Sequence, residues 1–276
     1  MIALWSCAAE RGADGSANRP CRADWVGQLT GNKVVSELKI EAMKEGKRWL
    51  TVAAYAVGMA WVESAVVFYL RKLSDRIDPY QTQLLPPVDG LAGVELIREA
   101  ATLLMLFTVG MLAGKDWRSR WGYSAIAFGV WDIFYYIFLK VIVGWPNSLW
   151  DWDILFLLPL PWWGPVIAPV LIATLMIVWG TLASQWEHQR PFRSEWRAWS
   201  FNFAGCALAL YVFMEDAIRV AGRGEDALRM LLPVRFDWPL FCLALLLMTA
   251  PVLSCGRHIR RVKSGFSPSN LNQGTT

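Results

Sequence analysis

Apolar residues along this chain gather into runs of about 20, the helix length that crosses a bilayer core. Six runs are predicted as spans: 49–70, 93–114, 121–143, 165–183, 198–217 and 237–255. The first three read "WLTVAAYAVGMAWVESAVVFYL", "GVELIREAATLLMLFTVGMLAG" and "WGYSAIAFGVWDIFYYIFLKVIV". The fold expected from this pattern is all-α: a polytopic transmembrane helical bundle of about six spans.

One stretch departs from the pattern. "DWDILFLLPLPWWGPVIAPV", Asp151 to Val170, holds Pro159, Pro161, Pro165 and Pro169 and the pair Trp162–Trp163 inside otherwise span-like sequence. From Ile154 to Ala183 one straight helix would be about 45 Å long, against a hydrocarbon core of about 30 Å. Proline removes a backbone donor and clashes with the preceding turn. The expectation is therefore a Pro-broken, re-entrant segment before span 4, with Pro165 in the first turn of a fresh helix. It reads either as an interfacial kink or as the wall of an outward-facing pocket.

The domain expected over 43–263 is the helical bundle, and 264–276 reads as a disordered tail. Residues 1–42 are polar and aperiodic, and "MIALWSCAAERG" lacks the basic start and long apolar run of a signal peptide. Met43, followed by "KEGKRW" and a span, makes a natural start, so 1–42 reads as a disordered tail or a gene-start artefact.

Basic residues sit beside the spans, where they act as topology signals. Lys44, Lys47 and Arg48, then Lys115, Arg118 and Arg120, then Arg190, Arg193 and Arg197, then Arg257, Arg260, Arg261 and Lys263 all fall on one side. The loop 144–153 on the other side has no base. Both termini are thus expected in the cytoplasm. Arg71, Lys72 and the arginines of 219–235 dissent, most of them accompanied by acids. Tryptophans, 17 in all, mark two interfacial belts: Trp49, Trp117, Trp121, Trp186, Trp196 and Trp199 inside, Trp145, Trp150, Trp152 and Trp238 outside. Composition agrees, with 55% hydrophobic and 18% charged residues.

Ionisable groups inside spans are costly and mark sites or partners. The candidates are Glu63 in the first span, Glu95, Arg98 and Glu99 in the second, Asp132, Tyr135, Tyr136 and Lys140 in the third, then Asp151 and Asp153, with Trp162 and Trp163 as an aromatic wall. Asp132, Tyr135, Tyr136 and Lys140 share one helical stripe, as do Glu95 and Glu99. All fall in the middle or outer half of the bilayer, which suggests a polar cavity open to the outside. Six acids face two bases, Arg98 and Lys140, so simple pairing leaves carboxylates over. The competing reading is an interhelical network, such as Glu99 or Asp132 with Arg98 or Lys140, that fixes packing. Glu215 and Asp216 with Arg219 read as a local surface pair, and Gly110 with Gly114 as a close helix contact.

Other chemistry is poorly served. The two histidines, His188 in an inner loop and His258 in the inner tail, are expected away from the outer acids. No phosphate loop and no dinucleotide fingerprint occurs. The five cysteines, Cys7, Cys21, Cys206, Cys242 and Cys255, form no metal or redox motif. No metal, no cofactor and no nucleic-acid partner is expected. The partners expected are the lipid bilayer and a small-molecule ligand, with oligomeric state open.

The strings "ELIREAATLLML", "FGVWDIFYYIFLKV" and "GWPNSLWDWDILFLLPLPWWGPV" resemble a group of bacterial multi-pass membrane proteins, over roughly residues 50–185. The resemblance implies a bacterial inner membrane and brings no activity with it. Three functions stay open: binding or transport of a small cationic or amine-bearing solute, acid/base catalysis on a lipid or isoprenoid by Asp132 or Glu63, and a non-catalytic subunit or assembly factor.

Overall fold

The computed structural model describes residues 22–73, 91–156, 160–185, 196–224, 231–233 and 235–264, with side chains described between 43 and 257 except at 91 and 92. The helices are α1 (Arg22–Leu73), α2 (Leu91–Ala113), α3 (Trp117–Val143), α4 (Ile167–Gln185), α5 (Trp196–Ala221), α6 (Trp238–Met248) and α7 (Ala250–Ser264). Two short strands, β1 (Trp152–Ile154) and β2 (Trp163–Pro165), lie between α3 and α4. The all-α polytopic bundle is the observed architecture.

Five helical stretches are long and apolar enough to cross a membrane: Met43–Leu73, Gly93–Ala113, Trp117–Val143, Ile167–Gln185 and Trp238–Arg257. The sixth expected span is α5. It has the length, at 26 residues, but Asn202, Glu215, Asp216 and Arg219 dilute its apolar character, and it is not among the five. The last span is made of α6 and the start of α7. Its helix is interrupted at Thr249, two residues before Pro251, whose ring and missing N–H disturb the turn before it.

The chain divides into two compact units, Met1–Lys47 and Arg48–Thr276. In the first, the backbone is helical from Arg22, so the part of the expected tail from 22 to 42 is helix. The segments 1–21 and 265–276 lie outside the described residues.

In the second unit α3 is the central helix. Its start is fixed by a capping box: the Asp116 carboxylate accepts from the Arg118 and Ser119 amides at 2.8 and 3.0 Å, and Ser119 Oγ accepts from the Asp116 amide. Its end is Gly144, at φ +76°, the left-handed position that favours glycine. On one side Val52, Ala53, Ala56 and Ala60 of α1 pack with Tyr123, Ile126, Ala127 and Val130 of α3. On the other, α3 meets α4 so closely that a Cβ on Gly129 would stand 2.6 Å from the Ala173 carbonyl oxygen. Small residues let two helix backbones approach in lipid, where apolar burial itself drives little association. Gly110 does the same for α2 against Ser124, whose Oγ donates to the Phe107 carbonyl at 3.0 Å.

The Pro-broken segment expected before span 4 is a hairpin, and Pro165, expected in the first turn of the new helix, closes its second strand instead. Trp152 pairs with Pro165, Asp153 with Gly164 and Ile154 with Trp163, antiparallel. The ladder extends through Leu155 N–H to Trp162 O and Trp162 N–H to Phe156 O, both 2.8 Å. Beyond Pro165, Val166 and Ile167 donate to Asp151 O and Leu149 O, so the new helix starts at Ile167. Proline excludes helix here, and a hairpin satisfies most of the backbone groups that lipid would leave bare. Pro159 lies outside the described residues.

Candidate functional site

The polar side chains of the spans gather where α1 ends, α3 ends and the hairpin folds back. Each is delivered by the local structure just described. In α1, Glu63 stands two turns before Arg71, inside the apolar run 49–70. In α2, Glu95 and Arg98 are three apart and hence neighbours on one face. In α3, Asp132, Tyr135 and Tyr136 share a stripe, and β1 presents Asp153.

Two ion-pair centres result. In the first, Arg98 bridges Glu63 of α1 and Glu95 of its own helix; its Nε donates to Glu95 Oε2 at 2.9 Å. Thr102 Oγ1 adds a hydrogen bond to the second oxygen of Glu63 at 3.2 Å. In the second centre, Arg71 Nη2 meets Asp153 Oδ1 at 3.1 Å, and the guanidinium carbon lies 4.3 Å from the centre of the Trp145 ring. Asp153 is 2% exposed. Tyr135 is within electrostatic reach of both centres, and Tyr136 packs with Trp145 and Val166 beside Asp153.

Asp132 differs from these acids in having no base paired with it among the described residues. It is 8% exposed, its Oδ2 is buried, and that oxygen has no hydrogen-bond partner. It is close enough to Asp153 for the two charges to repel. The nearby bases are committed elsewhere: Arg98 to Glu63 and Glu95, Arg71 to Asp153 and Trp145, and Lys140 to the end of its own helix. Buried indole nitrogens of Trp131, Trp145 and Trp162 also lack partners, at the same end of the bundle. Unsatisfied buried polar atoms are few in native proteins and call for an explanation such as a ligand or water. No three of the described His, Cys, Asp and Glu residues are grouped to hold a metal ion.

Several expected members fall elsewhere. Lys140 is exposed and donates to the Gly144 carbonyl at 2.8 Å, so it leaves the polar stripe and pairs with no acid of the site. Asp151 closes a turn: it accepts from the Asn147 and Ser148 amides and from Ser148 Oγ. Glu99 is 7% exposed on α2. Trp162 precedes β2 and Trp163 opens it, and the two rings have different surroundings. Trp162 stacks on Phe213 of α5 at 6.4 Å and meets Phe156 edge-on, and Trp163 is buried in its own right. Arg219 pairs locally with Glu215 and Asp216, at 2.7 and 3.1 Å.

Arg71, Trp145 and Thr102 belong to the centres and were not among the expected site residues. The signal for Arg71 was its departure from the pattern of bases, a positive charge at the end of α1 facing the loop that holds none. The chain matches no protein-family model, no curated protein and no solved structure.

Proposed function

We propose that this is a multi-pass protein of the bacterial inner membrane that binds a small cationic or amine-bearing solute at Asp132, in a site reached from the outer side. The observation that carries the reading is the buried Asp132 carboxylate, which receives no charge from Arg71, Arg98 or Lys140. A carboxylate buried without a partner is costly, and it lowers that cost by taking a proton or a cation. Asp153 beside it raises the negative potential further. The aromatic groups around the hairpin suit an amine through cation–π contact.

Sidedness rests on the bases. With Lys115, Arg118 and Arg120 in the cytoplasm, the hairpin end of α3 faces out, and α5 completes a sixth crossing that returns the C-terminus to the inside. A second reading is favoured by the Glu63–Arg98–Glu95 centre, which is closed on itself and joins α1 to α2. That centre is structural in this account, and the solute site is confined to the neighbourhood of Asp132.

The test is native mass spectrometry with elemental analysis on gently purified wild type and Asp132→Asn. A bound cationic species present in the wild type and lost in the variant supports the reading. Clean apo masses for both proteins, with no bound species in several detergents, would refute it and leave the charges as packing elements.

A further inference from the structure

Apart from Asp132 and the ion-pair centres, the structure holds a cavity of about 320 Å³ lined by Trp150, Trp152, Pro165, Arg235, Phe236, Trp238 and Pro239. Its walls come from the turn before β1, from β1, from the end of β2, from residues 235–236 and from the start of α6. Trp150 and Trp238 meet edge-on at 5.3 Å, Trp152 and Phe236 at 6.1 Å, and Phe236 and Trp238 at 4.7 Å, so the aromatic rings hold one another in place. Arg235 is the one charged residue among the lining groups, and it is exposed.

The position of the cavity is defined by two spans. Trp238 opens the span Trp238–Arg257, and Pro165 stands two residues before the span Ile167–Gln185. The cavity therefore lies at the end of the hydrocarbon layer, at headgroup depth, where indole rings are most at home. An occupant must be apolar over most of its surface and negative at one point. The Arg235 charge disfavours a quaternary ammonium, which the aromatic rings alone would have suited. The nearest acid in sequence, Asp237, is engaged with its own helix, accepting from the Leu240 amide at 3.2 Å. The volume is at the small end for ligand sites, enough for a head and glycerol and too small for a whole lipid.

We infer that this aromatic cup holds the head of an anionic phospholipid, with Arg235 on the phosphate and the tryptophans against the glycerol and upper acyl chains. Guanidinium forms paired hydrogen bonds with phosphate oxygens, and a base at the membrane surface favours anionic lipid. This site is independent of the Asp132 reading.

The test is native mass spectrometry of the full chain in detergent, titrated with phosphatidylglycerol and, separately, phosphatidylcholine. The wild type is expected to retain phosphatidylglycerol selectively. Arg235→Gln is expected to weaken that retention about fivefold, the effect of one base near a membrane surface, and Arg235→Lys to keep most of it. Arg235 is exposed, so both variants should fold, which a melting curve checks. Equal binding of phosphatidylglycerol by wild type and Arg235→Gln would overturn the inference. So would equal retention of the two lipids, or displacement of phosphatidylglycerol by inorganic phosphate at matched concentration, which would mark a site for a free anion.

Discussion

Arg71 offers a quantitative test of how the hairpin is held. It ends the first span, sits on the Trp145 ring and pairs with Asp153, and the side chains of the pair are 11% and 2% exposed. Replacing Arg71 with Gln withdraws the guanidinium from a carboxylate that water scarcely reaches. Removing one partner of a buried pair costs about 3–5 kcal/mol, and loss of the ring contact adds about 1 kcal/mol. Asp153→Asn should cost less, about 1–3 kcal/mol, because the arginine keeps Trp145 and a little solvent. The double variant should then be destabilised by at least about 1 kcal/mol less than the sum of the two, the signature of direct coupling. The assay is equilibrium unfolding in mixed micelles, read by tryptophan emission, for the four members of the cycle. Strict additivity would refute the account: the hairpin would then be held by its backbone ladder and ring packing alone.

Three further outcomes follow from particular contacts. Trp162→Ala removes the ring that stacks on Phe213 and meets Phe156 edge-on and should destabilise by about 3 kcal/mol; equal stability in the same unfolding assay would contradict the packing role. Lys140→Gln removes only a cap on Gly144 O and should change stability by less than about 0.5 kcal/mol; a large loss would return Lys140 to the charge network. Gly129→Ala places a methyl against the Ala173 carbonyl and should lower stability by about 1–3 kcal/mol, seen as a reduced melting temperature.

The spans were legible because their signal is a long average: five of the six expected runs are apolar over nearly 20 residues in a way that no local detail can hide. The fall of α5 from that set turns on a few polar side chains, Asn202, Glu215 and Asp216, in a helix otherwise like the rest. The proline-rich stretch was half legible. Proline says that helix fails, but the choice between a kink and a hairpin depends on pairing Trp152–Ile154 with Trp163–Pro165, a tertiary fact that short apolar runs do not announce. Among the charges, Arg98 with Glu95 was readable from helix spacing, since both lie on one turn. Arg71 with Asp153 was not, because the partners are 82 residues apart and no local spacing links them. Lys140 shared the stripe of Asp132 by geometry, yet its long chain reaches the carbonyl of Gly144 at the end of α3, a common fate for a lysine in a last turn.

The most direct measurement is the reactivity of Asp132 itself. A hydrophobic carbodiimide modifies protonated carboxyl groups in apolar surroundings, and peptide mass spectrometry locates the adduct. In the intact protein the account predicts modification at Asp132, slowed in a saturable way by methylammonium or guanidinium added as a probe. Labelling of Asp132 at a rate that neither probe alters, or no labelling there in either condition, would contradict a cation site at this carboxylate.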